Sequence, residues 1–497
     1  MLRRIRVVIA IVFLCLITFL FLDFTGTAHE YWGWLAKIQF IPSLLALNIV
    51  VLVGLVLLTL LLGRIYCSVI CPFGVMQDLF AWLGKRFKKN RYSYSSEKRI
   101  MRYVILALFI LLLVIPGTSV IANLIEPYSA YGRIANTLLS PIYQWGNNLL
   151  ASYSEEHGSY TFYEVDIWMK GMSVLVIAIL TLLVVGFLAW RNGRTWCNTV
   201  CPVGTILGFL SRFSLFKVMI DEQKCTSCGL CSRNCKGSCI DHKEHKIDHS
   251  RCVVCLDCVE KCNKKAIGYE LRYKGKTVEK EGQVESSVDT SRLQFLAVGA
   301  MMVAGATIEA QAKKIDGGLT VLQDKKIPER RIPIKPAGAL SIKHFSQHCT
   351  ACQLCVSACP NGVLRPSSDL ARFMQPEMSY ERGYCRPECN KCSQVCPTGA
   401  IQPIQLEDKS STQIGCAVWI RENCLVETKG VKCGSCATHC PVAAIQMVQK
   451  DPEDPESLKI PVVNESRCIG CGACENLCPS RPYSAIYVEG YEIHREN

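Results

Sequence analysis

Long apolar runs alternate with charged segments over the first 200 residues of the chain. The uncharged runs cover residues 7–22, 44–62, 104–122 and 173–190. Each is close to the roughly 20 residues that a helix needs to cross a hydrocarbon core of about 30 Å. The pattern therefore predicts four transmembrane helices. We interpret the first as a retained anchor rather than a signal peptide, because no small-residue cleavage site follows Leu22.

Basic residues collect on one side of these helices. Three arginines precede the first run, and 63–103 carries nine Lys and Arg residues, whereas 23–43 carries one and 123–170 carries two. Because positive residues favour cytoplasmic loops, both ends of the bundle are predicted to be cytoplasmic, in a multi-pass protein of the bacterial inner membrane. The same rule accounts for the net charge of +13, so no nucleic-acid partner is predicted.

A weaker apolar run, 293–308, is 16 residues long. At its start, Ser291, Arg292 and Leu293 resemble a twin-arginine export signal whose second arginine is replaced by leucine. If this run spans the membrane, the rest of the chain lies in the periplasm; if it forms a buried or interfacial helix, the rest stays in the cytoplasm. We predict the first arrangement, with a periplasmic C-terminal domain.

Two of the helices run into the same motif, an aromatic residue followed by Cys-x3-Cys-Pro-x-Gly. This internal repeat indicates a duplication and places both cysteine pairs at the cytoplasmic face. Since cysteines at i and i+4 share one face of a helix, the two pairs could jointly bind one further 4Fe-4S cluster, with a redox dithiol or structural thiols as the alternatives. The four residues are Cys67, Cys71, Cys197 and Cys201.

Two cysteine runs after the last helix have the spacing of bacterial ferredoxins, in which three close thiolates bind one cubane and the fourth reaches a second. The first predicted set is Cys225, Cys228, Cys231 and Cys262, and the second is Cys235, Cys252, Cys255 and Cys258. The proline that usually follows the fourth cysteine is replaced by Lys236 and Asn263. Zinc bound by the same thiolates is the alternative.

Four further runs, each ending in Cys-Pro, occupy the C-terminal part of the chain. They are Cys349, Cys352, Cys355 and Cys359; Cys385, Cys389, Cys392 and Cys396; Cys424, Cys433, Cys436 and Cys440; and Cys468, Cys471, Cys474 and Cys478. They predict four more 4Fe-4S clusters, which makes six, with a seventh at the duplicated motif. Disulfides are not expected, because 31 cysteines in tight runs do not resemble a disulfide framework. Cys15, Cys239 and Cys416 are left over.

Other cofactors lack their motifs. The chain has no C-x-x-C-H haem attachment motif, and none of its nine histidines lies in an apolar run, so no haem is predicted. No Walker or dinucleotide glycine loop occurs, which argues against a nucleotide or a flavin.

Together these patterns predict a membrane α-helical bundle of four to five transmembrane helices that carries α+β bacterial ferredoxin-like 4Fe-4S domains. We divide the chain into a membrane domain (1–215), a cytoplasmic two-cluster domain (216–275), a linker with the fifth helix (276–343) and a four-cluster domain (344–497).

On these motifs the first part of the chain, to about residue 290, resembles NapH, a quinol-oxidising membrane subunit with four helices, two Cys-x3-Cys-Pro motifs and two cytoplasmic ferredoxin motifs. The remainder resembles NapG, its exported four-cluster partner, so the chain is similar to a NapH-NapG fusion of the NosR and MauN superfamily. The resemblance implies a quinol dehydrogenase that passes electrons to a periplasmic reductase or its small electron-transfer subunit. It also implies that the first C-terminal run pairs with the last and the second with the third.

We therefore interpret the chain as a membrane-anchored iron-sulfur protein that takes electrons from the quinone pool and supplies a periplasmic reductase. One alternative is a transmembrane conduit fed by a cytoplasmic ferredoxin; against it, no centre is visible at mid-membrane, a gap that a mobile quinone would fill. Another is an assembly or maturation factor that loads metal into a partner enzyme. Candidates for a quinone pocket are Asp23, His29, Glu30, Glu126 and Tyr128 on the outer face and Asp78 on the inner face.

Overall fold

The computed structural model describes residues 1–87, 92–115, 118–271, 315–316, 320–321 and 324–496. The predicted fifth helix, 293–308, and the twin-arginine-like motif lie outside the described residues.

The membrane domain is built of helices. They are α1 (Leu2–Leu22), α2 (Thr27–Trp32), α3 (Trp34–Lys37), α4 (Phe40–Leu45), α5 (Ile49–Leu62), α6 (Ile65–Val69), α7 (Pro72–Phe87), α8 (Arg99–Val114), α9 (Ser119–Ile125), α10 (Pro127–Ile134), α11 (Ser140–Glu156), α12 (Met172–Asn192), α13 (Thr195–Thr199) and α14 (Pro202–Ser211). A π-helical segment, Ala135–Leu139, joins α10 to α11.

Two of these helices, α1 and α12, are long and apolar enough to cross a membrane, with 21 residues each. At 1.5 Å per residue each is about 31 Å long, which matches the hydrocarbon core. The other two predicted spans are interrupted. The side chain of Asn48 caps a new helix, α5, by accepting a hydrogen bond from Val51 N at 3.3 Å, and α8 ends at Val114, just before Pro116. The count of four to five spans therefore stays a prediction.

The sequence repeat is also a structural repeat. α5 and α12 are each followed by a capping glycine, Gly63 and Gly193, with left-handed φ angles of 74° and 71°. A short helix follows, α6 or α13, and then a helix that begins with proline, α7 or α14. Proline is favoured at this position because its missing N–H would have no helical partner there. The two copies therefore present their cysteines from matching places.

Short helices and small antiparallel sheets form the two cysteine-rich domains, in agreement with ferredoxin-type folding. The two-cluster domain contains β1 (Phe216–Ile220), α15 (Leu230–Asn234), β2 (Ile240–Asp241), β3 (Lys246–Ile247), α16 (Asp257–Lys261) and β4 (Ile267–Leu271). β1 pairs with β4 across the domain, with Phe216 opposite Leu271. A minimal hairpin of β5 (Ile315–Asp316) and β6 (Thr320–Val321) lies in the linker.

The four-cluster domain is likewise built of short helices and short strands. Its elements are α17 (Ile342–His348), α18 (Leu354–Ser357), β7 (Leu364–Pro366), β8 (Pro376–Met378), α19 (Lys391–Val395), α20 (Leu406–Ser411), β9 (Thr412–Trp419), α21 (Leu425–Lys429), α22 (Ser435–Thr438), β10 (Ile445–Gln449), β11 (Lys459–Val463), α23 (Ala473–Asn476) and β12 (Ile486–Glu496). The pairs are β7 with β8, β10 with β11, and β9 with β12.

The two cysteine-rich domains contact opposite ends of α1. At its amino end, Arg3 Nε lies 2.6 Å from Asp257 Oδ1 of the two-cluster domain. Just beyond its carboxyl end, Lys391 Nζ of the four-cluster domain donates to the Thr25 carbonyl at 3.0 Å. One membrane-length helix therefore separates the two domains.

α12 makes the same connection in the opposite direction. Near its start, Val174 packs in one apolar cluster with Ala351 and Met374 of the four-cluster domain. Just after its end, Arg194 N donates to the Lys236 carbonyl of the two-cluster domain at 2.9 Å. Both candidate spans thus run from one cysteine-rich domain to the other.

Candidate metal centres

In the two-cluster domain, four of the predicted ligands line one cavity. They are Cys235, Cys252, Cys255 and Cys258, termed site II. The remaining predicted set, Cys225, Cys228, Cys231 and Cys262, is termed site I. Burial raises the pKa of the Cys231 thiol to about 11, and the charges of Cys225 and Cys228 add to the effect. Crowded thiols of this kind favour a bound cation, because metal ligation takes place through the thiolate.

Four of the cysteine runs share one backbone conformation. The second and fourth residues after the first cysteine have left-handed φ angles: Ser227 and Gly229, Val254 and Leu256, Ala351 and Gln353, and Gly470 and Gly472. Such angles are uncommon for residues other than glycine. Successive turns of this type form concavities that bind anions through backbone N–H groups. The loops therefore fit an anionic iron-sulfur cluster.

The cysteines of the four-cluster domain surround four cavities. The sets are site III (Cys349, Cys352, Cys355 and Cys396), site IV (Cys359, Cys385, Cys389 and Cys392), site V (Cys440, Cys468, Cys471 and Cys474) and site VI (Cys424, Cys433, Cys436 and Cys478). In each set, three cysteines come from one run and the fourth comes from another.

The pairing of runs differs from the one that the resemblance implied. The first run shares its sites with the second, and the third with the fourth, so the expected pairing of first with last is wrong. The reason lies in neighbouring short helices. α18 contains Cys355 and precedes Cys359, and the adjacent α19 contains Cys392 and precedes Cys396. Each helix and the cysteine that follows it thus supply ligands to two different sites.

The four sites follow one another away from the membrane domain. Site III lies against that domain, where Asn123 Nδ2 donates to the Cys349 carbonyl at 2.9 Å. Sites III and IV share α18 and α19, and sites V and VI share the packed helices α22 and α23. Sites IV and V are joined by a hydrogen bond from Cys385 N to the Cys471 carbonyl at 2.9 Å. Site VI is therefore the far end of the series.

The cysteine sets are more open than a site for a single ion. Among the described residues, no three His, Cys, Asp or Glu side chains converge on one metal position, and the cysteines surround cavities instead. Four thiolates at 2.3 Å from one zinc ion would place their sulfur atoms about 3.8 Å apart. A cubane offers a separate iron to each thiolate and so needs a wider set. The arrangement fits clusters better than zinc.

The thiols of the duplicated motif converge on one buried place, termed the four-thiol site (Cys67, Cys71, Cys197 and Cys201). Each residue is at most 5% exposed. Cys201 lies close enough to the other three for their charges to act on it. Cys201 Sγ accepts a hydrogen bond from Gly204 N at 3.4 Å, and Cys197 Sγ accepts one from Gln77 Nε2 at 3.2 Å. The repeat therefore forms a single site from two pairs.

Two arginines flank the four-thiol site, one from each repeat, and both are 0% exposed. Arg64 Nη2 donates to the Cys197 carbonyl at 3.2 Å and lies 3.9 Å from Cys67 Sγ. Arg194 Nη1 donates to the Cys67 carbonyl at 2.5 Å. Each arginine thus contacts the first cysteine of the opposite repeat. Sequence reasoning missed both, although the repeat extends to a Gly-Arg pair three residues before that cysteine.

The last glycine of each motif makes room for the opposite arginine. A Cβ atom on Gly74 would lie 2.3 Å from the Cys67 carbonyl oxygen and 2.9 Å from Arg194 Nη1. On Gly204 it would lie 2.1 Å from the Cys197 carbonyl oxygen and 2.9 Å from Arg64 Nη2. Any larger residue would displace these contacts, which explains the glycine of the Cys-Pro-x-Gly motif.

Asp78 is held in ion pairs and is not a free proton acceptor for quinone. Its Oδ1 atom lies 2.8 Å from Arg194 Nε and 3.5 Å from Lys236 Nζ, and its Oδ2 atom lies 3.3 Å from Arg6 Nη1. Asp78 therefore joins both candidate spans to the two-cluster domain.

The outer-face quinone candidates have different surroundings. Asp23 and Glu126 accept backbone N–H groups at the starts of α2 and α10, as capping carboxylates do. Among the described residues, the ring nitrogens of His29 and the hydroxyl of Tyr128 are buried without a hydrogen-bond partner. Glu30 is exposed. Asp23 and Glu126 therefore cap two different helices, α2 and α10.

Two of the three leftover cysteines lie beside predicted ligands. Cys239 lines the site II cavity, with its sulfur 3.4 Å from Cys235 Sγ. Cys416 contacts Cys468 of site V. Cys15 is exposed on α1. The spacing of the cysteine runs does not predict the contacts of Cys239 and Cys416 with these ligands.

Two family models match parts of the chain. The model described as a 4Fe-4S binding domain matches 44–90 and 171–220, which contain the two Cys-x3-Cys-Pro motifs. The model described as a 4Fe-4S dicluster domain matches 348–400 and 429–481. The first of these dicluster segments contains the first two C-terminal runs, and the second contains the last two except for Cys424. Both segments agree with the pairing of neighbouring runs.

Curated relatives have ferredoxin-type names. The methylamine utilization ferredoxin-type protein MauM of Methylobacillus flagellatus is 32% identical over 166 residues, which is 32% of this chain and 70% of that protein. The ferredoxin-type protein NapH of Escherichia coli (strain K12) is 28% identical over 236 residues, 45% of this chain and 69% of that protein. The chain belongs to the NapH/MauN/NosR-type family of membrane ferredoxins.

As a member of this family, the membrane ferredoxin is an iron-sulfur electron-transport protein with multiple 4Fe-4S clusters. It is a membrane protein with two candidate spans. A further relative, YccM of Escherichia coli (strain K12), is 25% identical over 227 residues, and the chain spans about half of its length, 55%. No solved structure matches the chain.

Proposed function

We propose that this membrane ferredoxin conducts electrons across the bacterial inner membrane, from the two-cluster domain in the cytoplasm to the four-cluster domain in the periplasm. Its electron acceptor would be a periplasmic reductase or the small electron-transfer subunit of one. The clusters supply one-electron chemistry, and the chain sets their order and surroundings. The NapH-NapG fusion, the four to five spans and the individual ligand sets are parts of this proposal.

The observation that carries the proposal is one continuous buried core. It includes Val253 beside site II, Cys67 and Cys201 of the four-thiol site, and Cys349 and Cys352 of site III. The same core contains residues of α1, whose length matches the hydrocarbon layer. A packed path of buried apolar residues therefore connects the two cysteine-rich domains.

The four-thiol site lies towards the two-cluster end of this path, because its cysteines follow soon after α5 and α12. Towards the two-cluster domain, Arg64 Nη1 donates to the Ser250 carbonyl at 2.9 Å, two residues before Cys252 of site II. Towards the four-cluster domain, Tyr66 and Cys71 belong to the same buried core as Tyr128 and Cys352. A cluster in the four-thiol site would be the intermediate centre of the proposed conduit.

Quinol oxidation is a second candidate, and Glu126 favours it. Glu126 is 1% exposed. It lies close to Tyr128, whose buried hydroxyl has no hydrogen-bond partner among the described residues. Oxidation of a quinol needs an apolar slot and a proton acceptor. In this version quinol enters beside site III, and electrons reach the four-cluster domain without passing the four-thiol site.

Proteoliposomes that contain the full chain distinguish the two donors. Under anaerobic conditions, the clusters are followed by EPR after addition of either a reduced bacterial ferredoxin or a menaquinol analogue. The conduit predicts that reduced ferredoxin reduces sites III to VI in the wild type but not in Cys197→Ser. Reduction of these sites by ferredoxin in Cys197→Ser would contradict the conduit. Reduction by menaquinol alone, unaffected by Cys197→Ser, would favour the second candidate.

A further inference from the structure

Arg64 is a fully buried cation without a carboxylate partner among the described residues. Its nitrogen–oxygen hydrogen bonds to the described residues go to neutral groups, Asn198 Oδ1 at 2.9 Å and the carbonyls of Ser250 at 2.9 Å and Cys197 at 3.2 Å. Its Nε atom has no hydrogen-bond partner in the described part of the chain. Removing a guanidinium from water is costly unless an anion compensates the charge. We therefore expect an anion near Arg64 that compensates its buried charge.

Its counterpart in the other repeat is balanced differently. Arg194 has the same relation to the opposite cysteine, but its Nε atom lies 2.8 Å from Asp78 Oδ1. Asp78 also faces Arg6 and Lys236. The two repeats thus match in geometry and differ in charge, and the uncompensated charge next to the thiols belongs to Arg64.

The four-thiol site is the nearest candidate for the missing anion, since Cys67 Sγ lies 3.9 Å from Arg64 Nη2. A 4Fe-4S cluster held by four thiolates has a net charge of two minus when oxidised and three minus when reduced. A fixed positive charge beside it stabilises the reduced form more than the oxidised form, and low dielectric strengthens the effect.

We propose that Arg64 sets the reduction potential of the centre in the four-thiol site, holding it more positive than a neutral side chain would. The proposal rests on the proposed function, which places a cluster there. A cluster held by the four thiols would accept one electron from site II and pass it on towards site III, with no proton taken up or released. Arg64 is a positioning residue in this scheme, since it acts on the centre through charge and hydrogen bonding.

Three substitutions in the full chain separate charge from shape. Arg64→Gln removes the charge, Arg64→Lys keeps it, and Asn198→Asp leaves the arginine in place but adds a carboxylate at the 2.9 Å contact. Arg102→Gln is the matched control, because Arg102 is also buried, at 2% exposed, and contacts the same Ser250, but is paired with Glu97.

EPR-monitored redox titration gives the midpoint potential, and the signal lost in Cys197→Ser identifies the centre. We expect a shift to more negative potential in Arg64→Gln and Asn198→Asp, a smaller shift in Arg64→Lys and none in Arg102→Gln, with unchanged iron content. If the cluster does not assemble in Arg64→Gln, the midpoint potential of Asn198→Asp tests the inference. If the centre assembles and its midpoint potential is the same in Arg64→Gln and Asn198→Asp as in the wild type, the inference about Arg64 is wrong. The proposed function would not be affected by that result. Equal iron content in wild type and Cys197→Ser would instead remove the centre, and with it the proposed function and this inference.

Discussion

Arg3 and Asp257 form an ion pair, with 2.6 Å between Nε and Oδ1, that joins the first turn of α1 to the first residue of α16. The Arg3 side chain is 35% exposed, so the pair contributes little to stability. The ion pair instead holds the two-cluster domain at the amino end of a membrane-length helix. The Lys391 contact with Thr25 places the four-cluster domain at the other end.

We predict from this relationship that the two domains are exposed on different faces of the membrane. A protease site inserted in the exposed β10–β11 turn, at 451–457, should be cut in intact spheroplasts. The same site inserted in the β2–β3 turn, at 242–245, should be cut only after lysis. Protection of both insertions, or cleavage of both, would show that the domains share one face.

The pairing of neighbouring runs predicts which cysteine variants share a phenotype. Cys396→Ser and Cys355→Ser should remove the same EPR signal, and each should lose about four iron atoms, because both residues belong to site III. Cys359→Ser should instead match Cys392→Ser, through site IV. Iron analysis and EPR of anaerobically purified protein provide the measurement.

Cys15→Ser is the control for these variants, since Cys15 is exposed on α1 and belongs to no site. It should retain the iron content of the wild type. If Cys396→Ser lost the same signal as a variant of the third run, the pairing of second with third run would return and the pairing described for sites III and IV would be wrong.

Features that depend on residues close together in the sequence could be predicted, whereas features that depend on contacts between distant residues could not. Ligand spacing within a run is local, so the six groups of ferredoxin cysteines were predicted from sequence. The apolar runs likewise predicted α1 and α12. The break before α5 depends on a cap at Asn48, which a hydrophobicity pattern does not show. The pairing of runs depends on which short helices pack together, and run spacing is the same for either pairing.

The arginines of the four-thiol site show the same limit more sharply. Arg64 and Cys197, whose carbonyl it contacts, are 133 residues apart in the chain. A buried cation between apolar segments reads as an ordinary loop residue until the fold brings the repeats together. The only local signal was the repetition of the Gly-Arg pair before each motif.

Gly74 and Gly54 give opposite expectations for the same substitution. Gly74→Ala would place a Cβ atom 2.3 Å from the Cys67 carbonyl oxygen, whereas nothing lies within 4 Å of a Cβ atom on Gly54. Both residues are inside helices, α7 and α5, where alanine is otherwise favoured. We expect Gly74→Ala to destabilise the fold by about 1–3 kcal/mol through overpacking and to disturb the four-thiol site.

Thermal unfolding and EPR of the two variants test this expectation. Gly54→Ala should keep or slightly raise the wild-type midpoint, because alanine is favoured in a helix, and should keep all cluster signals. An unchanged signal from the four-thiol site in Gly74→Ala would mean that Arg194 does not need its contact with the Cys67 carbonyl.

His494 gives the four-cluster domain a dependence on acid that can be separated from the clusters. Burial lowers the pKa of its imidazole from 6.5 to about 4, and neither ring nitrogen has a partner among the described residues. In the unfolded chain the ring binds a proton below pH 6.5, while in the folded domain it stays neutral until about pH 4. The stability contributed by the neutral ring is therefore present above pH 6.5 and is lost progressively as the pH falls to about 4. At pH 5 the loss is about 2 kcal/mol relative to pH 7.

His494→Phe should remove this part of the pH dependence, because phenylalanine fills a similar space and binds no proton. The measurement is the difference in unfolding free energy between pH 7 and pH 5, in the full chain with its clusters loaded. We expect the wild type to lose about 2 kcal/mol more than His494→Phe over this interval. His439→Phe is the matched control, because His439 is exposed in the same domain and should lose as much as the wild type. Equal losses in wild type and His494→Phe would mean that the ring is solvated in the folded domain, since only burial holds its pKa below the ordinary value.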